Sequence, residues 1–163
     1  LQSVTLQEGL LRIVWGAYDN CISLKNIVIP NTVLEVGSAA FANCHSLESA
    51  VLSNKMTKIE SALFRDCENL KTVELPSGIK SIDMYAFSGC KSLQGITIPH
   101  GVTEIDTYAF QSCKGITRIV LPDTVTYLGG SAFIWCSNLE SVVLSEGLTF
   151  ISNDTFKNCE NSV

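Results

Sequence analysis

Seven cysteines recur along this chain: Cys21, Cys44, Cys67, Cys90, Cys113, Cys136 and Cys159. A cysteine can act as nucleophile, soft metal ligand or half of a disulfide. Their spacing argues against most of that chemistry. Every gap is 23 residues, whereas zinc sites draw on close pairs such as CxxC. The number is odd, so complete internal pairing is impossible.

Other reactive types are sparse. The two histidines, His45 and His100, fall at different places in the period and are not expected to converge. No GxSxG, HExxH, P-loop or GxGxxG occurs. Glu60, Asp83 and Asp106 repeat at the 23-residue step, so they would stack as a carboxylate column. Such a column repels itself unless solvated or bridged by a cation such as calcium, a weak candidate metal site beside the simpler reading of helix N-caps. No catalytic residue and no cofactor site emerges.

The elements that must hold these residues follow from the period. Seven units cover 1–23, 24–46, 47–69, 70–92, 93–115, 116–138 and 139–161, with no insertion. An aromatic stands three residues before each cysteine: Tyr18, Phe41, Phe64, Phe87, Phe110, Phe133 and Phe156. Within a unit, apolar residues at positions 4 and 6 alternate with polar or β-branched residues at 3 and 5, as in a strand with one buried face. Proline follows at position 7 in four units, Pro30, Pro76, Pro99 and Pro122, where it ends a strand. The pattern predicts a parallel strand over positions 3–6 and a helical or 3₁₀ turn over 15–20. A second extended stretch is plausible over 11–13. One unit cannot bury its own apolar face, but stacked copies can. The expected fold is one solenoid of seven coils, with a parallel sheet on one face and short helical turns on the other. Phenylalanine and cysteine then form two columns of one core. Each thiol reads as a small buried residue, a weak donor to a nearby carbonyl. Disulfide, redox and metal use remain alternatives.

The unit LxxIxLPxxVxxIxxxAFxxCxx, best seen in LQGITIPHGVTEIDTYAFQSCKG (93–115), resembles the BspA-like (treponemal-type) leucine-rich repeats. The resemblance covers residues 1–161. It implies a right-handed superhelix and a surface or secreted microbial protein, often an adhesin, without catalytic machinery. The expected function is a non-enzymatic protein-binding module whose partner is a host or matrix surface protein. The alternative is a structural spacer that presents another domain at the cell surface.

Composition narrows the partners. The chain is 46% hydrophobic and only 17% charged, with a net charge of -5 and no basic run. Nucleic acid and anionic membrane are disfavoured, and no apolar run is long enough to span a bilayer. Neither terminal unit reads as a polar cap. The chain is therefore expected to be a piece of a longer array, and self-association through its ends is a further expectation.

Outliers on the period mark the candidate contact. Trp135 stands where six units have Asn, Asp, Gly or Ser, and Ile134 beside it is also anomalous. Tyr127 and Phe150 share position 12, elsewhere Arg, Glu, Lys or Ser. These four are the partner-contact candidates, against a simpler reading in which they pack within the chain.

Overall fold

The computed structural model describes residues 1–159. The last two residues of the seventh unit, 160 and 161, lie outside them. Strands β1 (Arg12–Ile13), β2 (Asn26–Val28), β3 (Glu35–Val36) and β4 (Ser49–Val51) open the series. They are followed by β5 (Lys58–Ile59), β6 (Thr72–Glu74), β7 (Ser81–Ile82) and β8 (Glu104–Ile105). The last are β9 (Arg118–Val120), β10 (Tyr127–Leu128) and β11 (Ser141–Val143). The three-residue strands all occupy positions 3–5 and the two-residue strands positions 12–13. Every pairing is parallel and joins residues one period apart, such as Asn26 with Ser49. Among the described residues the first unit lacks its 3–5 strand and the seventh its 12–13 strand. The chain thus makes about six full turns rather than seven.

The expected helical turn is absent among the described residues. Positions 15–20 form a run of turns instead, because their N–H groups find other partners. The N–H groups at positions 17, 19 and 21 donate within the coil, three residues back. In the third coil these bonds are Leu63 to Glu60 (3.1 Å), Arg65 to Ala62 (3.1 Å) and Cys67 to Phe64 (3.1 Å). Those at 16, 18 and 20 donate instead to the next coil. Ala62 reaches the Met84 carbonyl (2.9 Å), Phe64 that of Ala86 (2.8 Å) and Asp66 that of Ser88 (2.7 Å). All three cross-coil bonds recur at every junction from Gly16→Ser38 to Trp135→Lys157.

This alternation requires a left-handed residue at positions 16 and 20, the third residue of a type II turn. Position 16 runs Gly16, Ala39, Ala62, Tyr85, Tyr108, Ser131 and Asp154, with φ between 54° and 62°. Position 20 runs Asn20, Asn43, Asp66, Gly89, Ser112, Trp135 and Asn158, with φ between 57° and 77°. The residues at position 14 therefore do not cap helices. Their carbonyls accept the first turn bond, as Asp83 does from Ala86 (3.1 Å).

The core is one continuous cluster. Its spine is the aromatic column, stacked in sequence from Tyr18 to Phe156 with ring centroids 5.1–5.8 Å apart. The two sheets flanking this spine are interrupted. The 3–5 sheet has no strand in the fifth coil, where Gly95 stands at position 3; glycine weakens a strand. The 12–13 sheet breaks between β3 and β5. There the third coil carries the bulky Met56 and Leu63, both buried, opposite the small Ala50. The rings of Phe64 tilt most here, 12° and 17° from their neighbours.

Serine replaces proline at position 7 in two coils. Each hydroxyl donates to the previous coil's position-10 carbonyl: Ser53 to Val33 (2.6 Å) and Ser145 to Val125 (2.7 Å). Phe110→Ala is expected to lower unfolding free energy by about 3–5 kcal/mol, measured by urea denaturation. Val28→Ala on the exposed strand face should change it by less than about 0.5 kcal/mol.

Candidate functional site

The cysteine column closes the core beside the aromatic spine. Cys44, Cys67, Cys90, Cys113 and Cys136 are buried, Cys21 and Cys159 half-buried, and all seven are free thiols. Six donate Sγ–H to the position-18 carbonyl of the preceding coil, as Cys113 does to Phe87 (3.1 Å) and Cys136 to Phe110 (3.1 Å). That same carbonyl also accepts its own coil's cysteine N–H, for example Cys90 to Phe87 (3.1 Å). A carbonyl has two lone pairs, and the thiol takes the one that the backbone leaves free. Burial pushes the thiols of Cys44 and Cys136 up to about 12 and those of Cys67, Cys90 and Cys113 well above their usual value. Neutral, bonded and enclosed thiols are poor nucleophiles. His45 does not activate its neighbour, because its Nδ1 lies 3.0 Å from the Asp66 carbonyl while Cys44 bonds to Tyr18.

The carboxylate column takes its counter-charge from within the chain. The ammonium of Lys58 sits 2.8 Å from Asp83 and 3.6 Å from Glu60. The hydrogen bond to Asp83 raises the lysine's pKa. Asp106 accepts from the N–H of Thr107 at 2.6 Å. Among the described residues no group of three His, Cys, Asp or Glu side chains is placed to hold a metal ion.

The four outliers separate. Trp135 is 45% exposed, whereas Ile134 is only 7% exposed. Ile134 is corrected from surface to interior: like Ala42 and Ser88 at the same position it is buried, whereas the longer polar Lys157 there is exposed. Tyr127 and Phe150 are exposed and meet edge-to-face at 6.5 Å. They stand in the 12–13 segment, and Trp135 in the turn segment. Trp135 is also strained. Left-handed backbone costs a residue with a Cβ roughly 1–2 kcal/mol, and the Asn, Asp, Gly and Ser found at position 20 elsewhere are the types that tolerate it best.

The first coil holds a further outlier, Trp15, 74% exposed at a position otherwise Ser, Met, Thr, Gly or Asn. The comparison with other units that singled out Trp135 applies equally to it. Exposed Leu11 and Leu34 stand nearby in the period, at position 11.

The sequence pattern of the BspA type leucine rich repeat region matches residues 1–83 and 62–162, in six copies. The chain belongs to this family. Three solved structures of bacterial leucine-rich repeat proteins are similar to the chain. A leucine-rich repeat protein of Eubacterium ventriosum is 27% identical, with a TM-score of 0.75 over 93% of this chain and 40% of its own. The Treponema pallidum leucine-rich repeat protein is 29% identical, with a TM-score of 0.67 over 99% of this chain and 67% of its own. One from Bacteroides ovatus is 25% identical, with a TM-score of 0.66 over 98% of this chain and 40% of its own. The chain thus spans well under half the length of two of the three. No curated protein matches it. No helix among the described residues is long and apolar enough to cross a membrane.

Three outcomes follow for the thiols. Thiol titration should find few reactive groups in the folded protein and about seven on unfolding. Unfolded thiols ionise near about 8.5, while folded Cys44 and Cys136 hold their protons to about 12. The folded state binds more protons across that interval, so stability is full below it and falls as pH rises through it. Urea denaturation at stepped alkaline pH measures the loss. Cys113→Ser should cost about 1–3 kcal/mol, since a shorter, more polar side chain enters the column.

Proposed function

We propose that this chain is a non-enzymatic protein-binding module of a microbial surface or secreted protein, adhesin-like in role. The observation that carries the reading is Trp135. The fold asks for a small polar residue at position 20, and the sixth coil instead exposes a large aromatic at a cost in backbone strain. Strained, exposed aromatics concentrate at contact sites. The partner is a protein of the host surface or matrix, met by the turn segment of the sixth coil. Tyr127 and Phe150 offer a second, smaller apolar contact on the sixth and seventh coils. The family lends support: its members are repeat scaffolds, and the buried thiols and compensated carboxylates here offer no reactive group.

Trp135→Asn separates contact from fold. Relief of left-handed strain gains about 1–2 kcal/mol, and loss of a half-buried indole forfeits about as much. The two effects should nearly cancel, leaving stability within about 1 kcal/mol of the parent. Binding of the purified chain to immobilised matrix and host-surface proteins should be saturable and about tenfold weaker or more for the variant. A stability loss above about 3 kcal/mol would assign Trp135 to the core. Absence of saturable binding to any protein of the panel would refute the module reading and favour the spacer.

A further inference from the structure

The fifth coil departs from its neighbours on one side only. Elsewhere the position-2 N–H donates to the position-2 carbonyl of the preceding coil: Lys25 to Gln2 (3.4 Å), Glu48 to Lys25 (2.7 Å), Lys71 to Glu48 (3.0 Å) and Glu140 to Thr117 (2.8 Å). The missing members of that series are Gln94 to Lys71 and Thr117 to Gln94, the junctions on either side of the fifth coil. Among the described residues no backbone hydrogen bond has residues 94–98 as donor or acceptor. Strands β6 and β9, which would flank a fifth-coil strand, each keep a free edge there. Ile96 at position 4 is only half-buried, whereas Ile27, Ala50, Val73 and Ile119 at that position are buried. The other two sides of the coil are intact. Strand β8 pairs with β7 before it and β10 after it. The Phe87 N–H reaches the Ala109 carbonyl (2.8 Å) as that of Phe110 reaches Ala132 (2.8 Å).

The unpaired residues are strand formers. Ile96, Thr97 and Ile98 are β-branched, and Leu93 and Ile98 are anchored in the core. Gly95 opposes pairing, since glycine weakens a strand. Its φ is not left-handed and a Cβ there would meet nothing within 4 Å, so neither backbone nor packing requires glycine. At the foot of the segment, a Cβ on Gly115 would stand 2.6 Å from the Leu93 carbonyl oxygen. The fifth and sixth coils thus approach there more closely than the Ser or Asn at position 23 elsewhere allows.

We infer that residues 94–98 are a strap with two states: unpaired, as here, and closed, as the missing strand that joins β6 to β9 in one sheet. In the closed state Gln94 donates to Lys71 and Ile98 to Val120, as Glu48 does to Lys25 and Ile29 to Val51 (2.9 Å). Ile96 then enters the core between Val73 and Ile119. The ring spine and the 12–13 sheet run through the fifth coil unbroken, so closure draws the fourth and sixth coils together on the strand side alone. The strap therefore sets the angle between coils one to four and coils six and seven, a hinge in which a few residues absorb the change. A strand-forming sequence opposed by one glycine leaves the two states close in free energy, and any contact that favours one of them shifts the balance.

NMR of the whole chain tests this. In the parent the amides of Gln94 and Ile98 should exchange with solvent about a hundredfold faster or more than those of their counterparts Glu48 and Ile29. Residues 94–98 should also show relaxation dispersion, the signature of microsecond-to-millisecond exchange. Gly95→Val should close the strap, so that both amides become about as protected as their counterparts and the dispersion disappears. Thr97→Gly changes an exposed side chain and should hold the strap open, again without dispersion. Residual dipolar couplings should then give different angles between coils one to four and coils six and seven in the two variants. Protected Gln94 and Ile98 amides in the parent, or a parent without dispersion, would overturn the proposal. So would a folded Gly95→Val chain whose two amides stay unprotected, or equal angles in the two variants.

Discussion

One hydrogen-bonding constraint organises this protein. The N–H groups at positions 16, 18 and 20 of each coil are spent on the next coil and not on a local helix. Everything in the AFxxC segment follows. Donors that alternate between the coil and its neighbour need backbone that alternates too, hence the left-handed residues at 16 and 20. That geometry holds the position-18 ring over its counterpart one coil away, so the aromatics stack at 5.1–5.8 Å. It also leaves one lone pair on each position-18 carbonyl facing the next cysteine. Cysteine suits the site because it is small, apolar enough for the core and still a donor. The six bonded thiols are thus structural, and their regularity reflects the regularity of the carbonyls they meet.

The sheets are subordinate to this spine. The 3–5 sheet stops at the fifth coil and the 12–13 sheet between the second and third, yet the cross-coil turn bonds and the ring stack run on through both. Solenoid stability is a sum of local interface terms, so a coil can lose a strand pairing while the spine keeps its register. That tolerance frees the outer positions to vary. Trp15, for one, stands at a position that is Ser, Met, Thr, Gly or Asn in the other coils.

Much of this was legible in the sequence. The unbroken 23-residue step gave the parallel pairing, the ring column and the thiol column with its carbonyl acceptors. The paired departures Ala50 and Leu63 announced the volume trade that the third coil shows. The helical turn was misread because Phe and Cys three residues apart suit a helical turn as well as they suit a type II turn. The corrective signal was present in the Asn, Asp, Gly and Ser of position 20, which are left-handed formers before they are caps. Ile134 was misplaced because position 19 holds Asp, Arg, Gln and Lys in other coils, which reads as surface, while the isoleucine itself is buried. Trp15 was missed although the comparison that exposed Trp135 applied to it unchanged. The break at Gly95 was hidden because glycine at a strand position looks like a small neutral variant.

Native-state hydrogen exchange followed by NMR tests the central claim most directly. If the turn segment is the spine, the amides of Phe64, Phe87 and Phe110 exchange slowest in the protein, more slowly than those of strands β9 and β11. If those phenylalanine amides exchange rapidly while the strand amides stay protected, the sheets hold the coils together and the turn segment is not the spine.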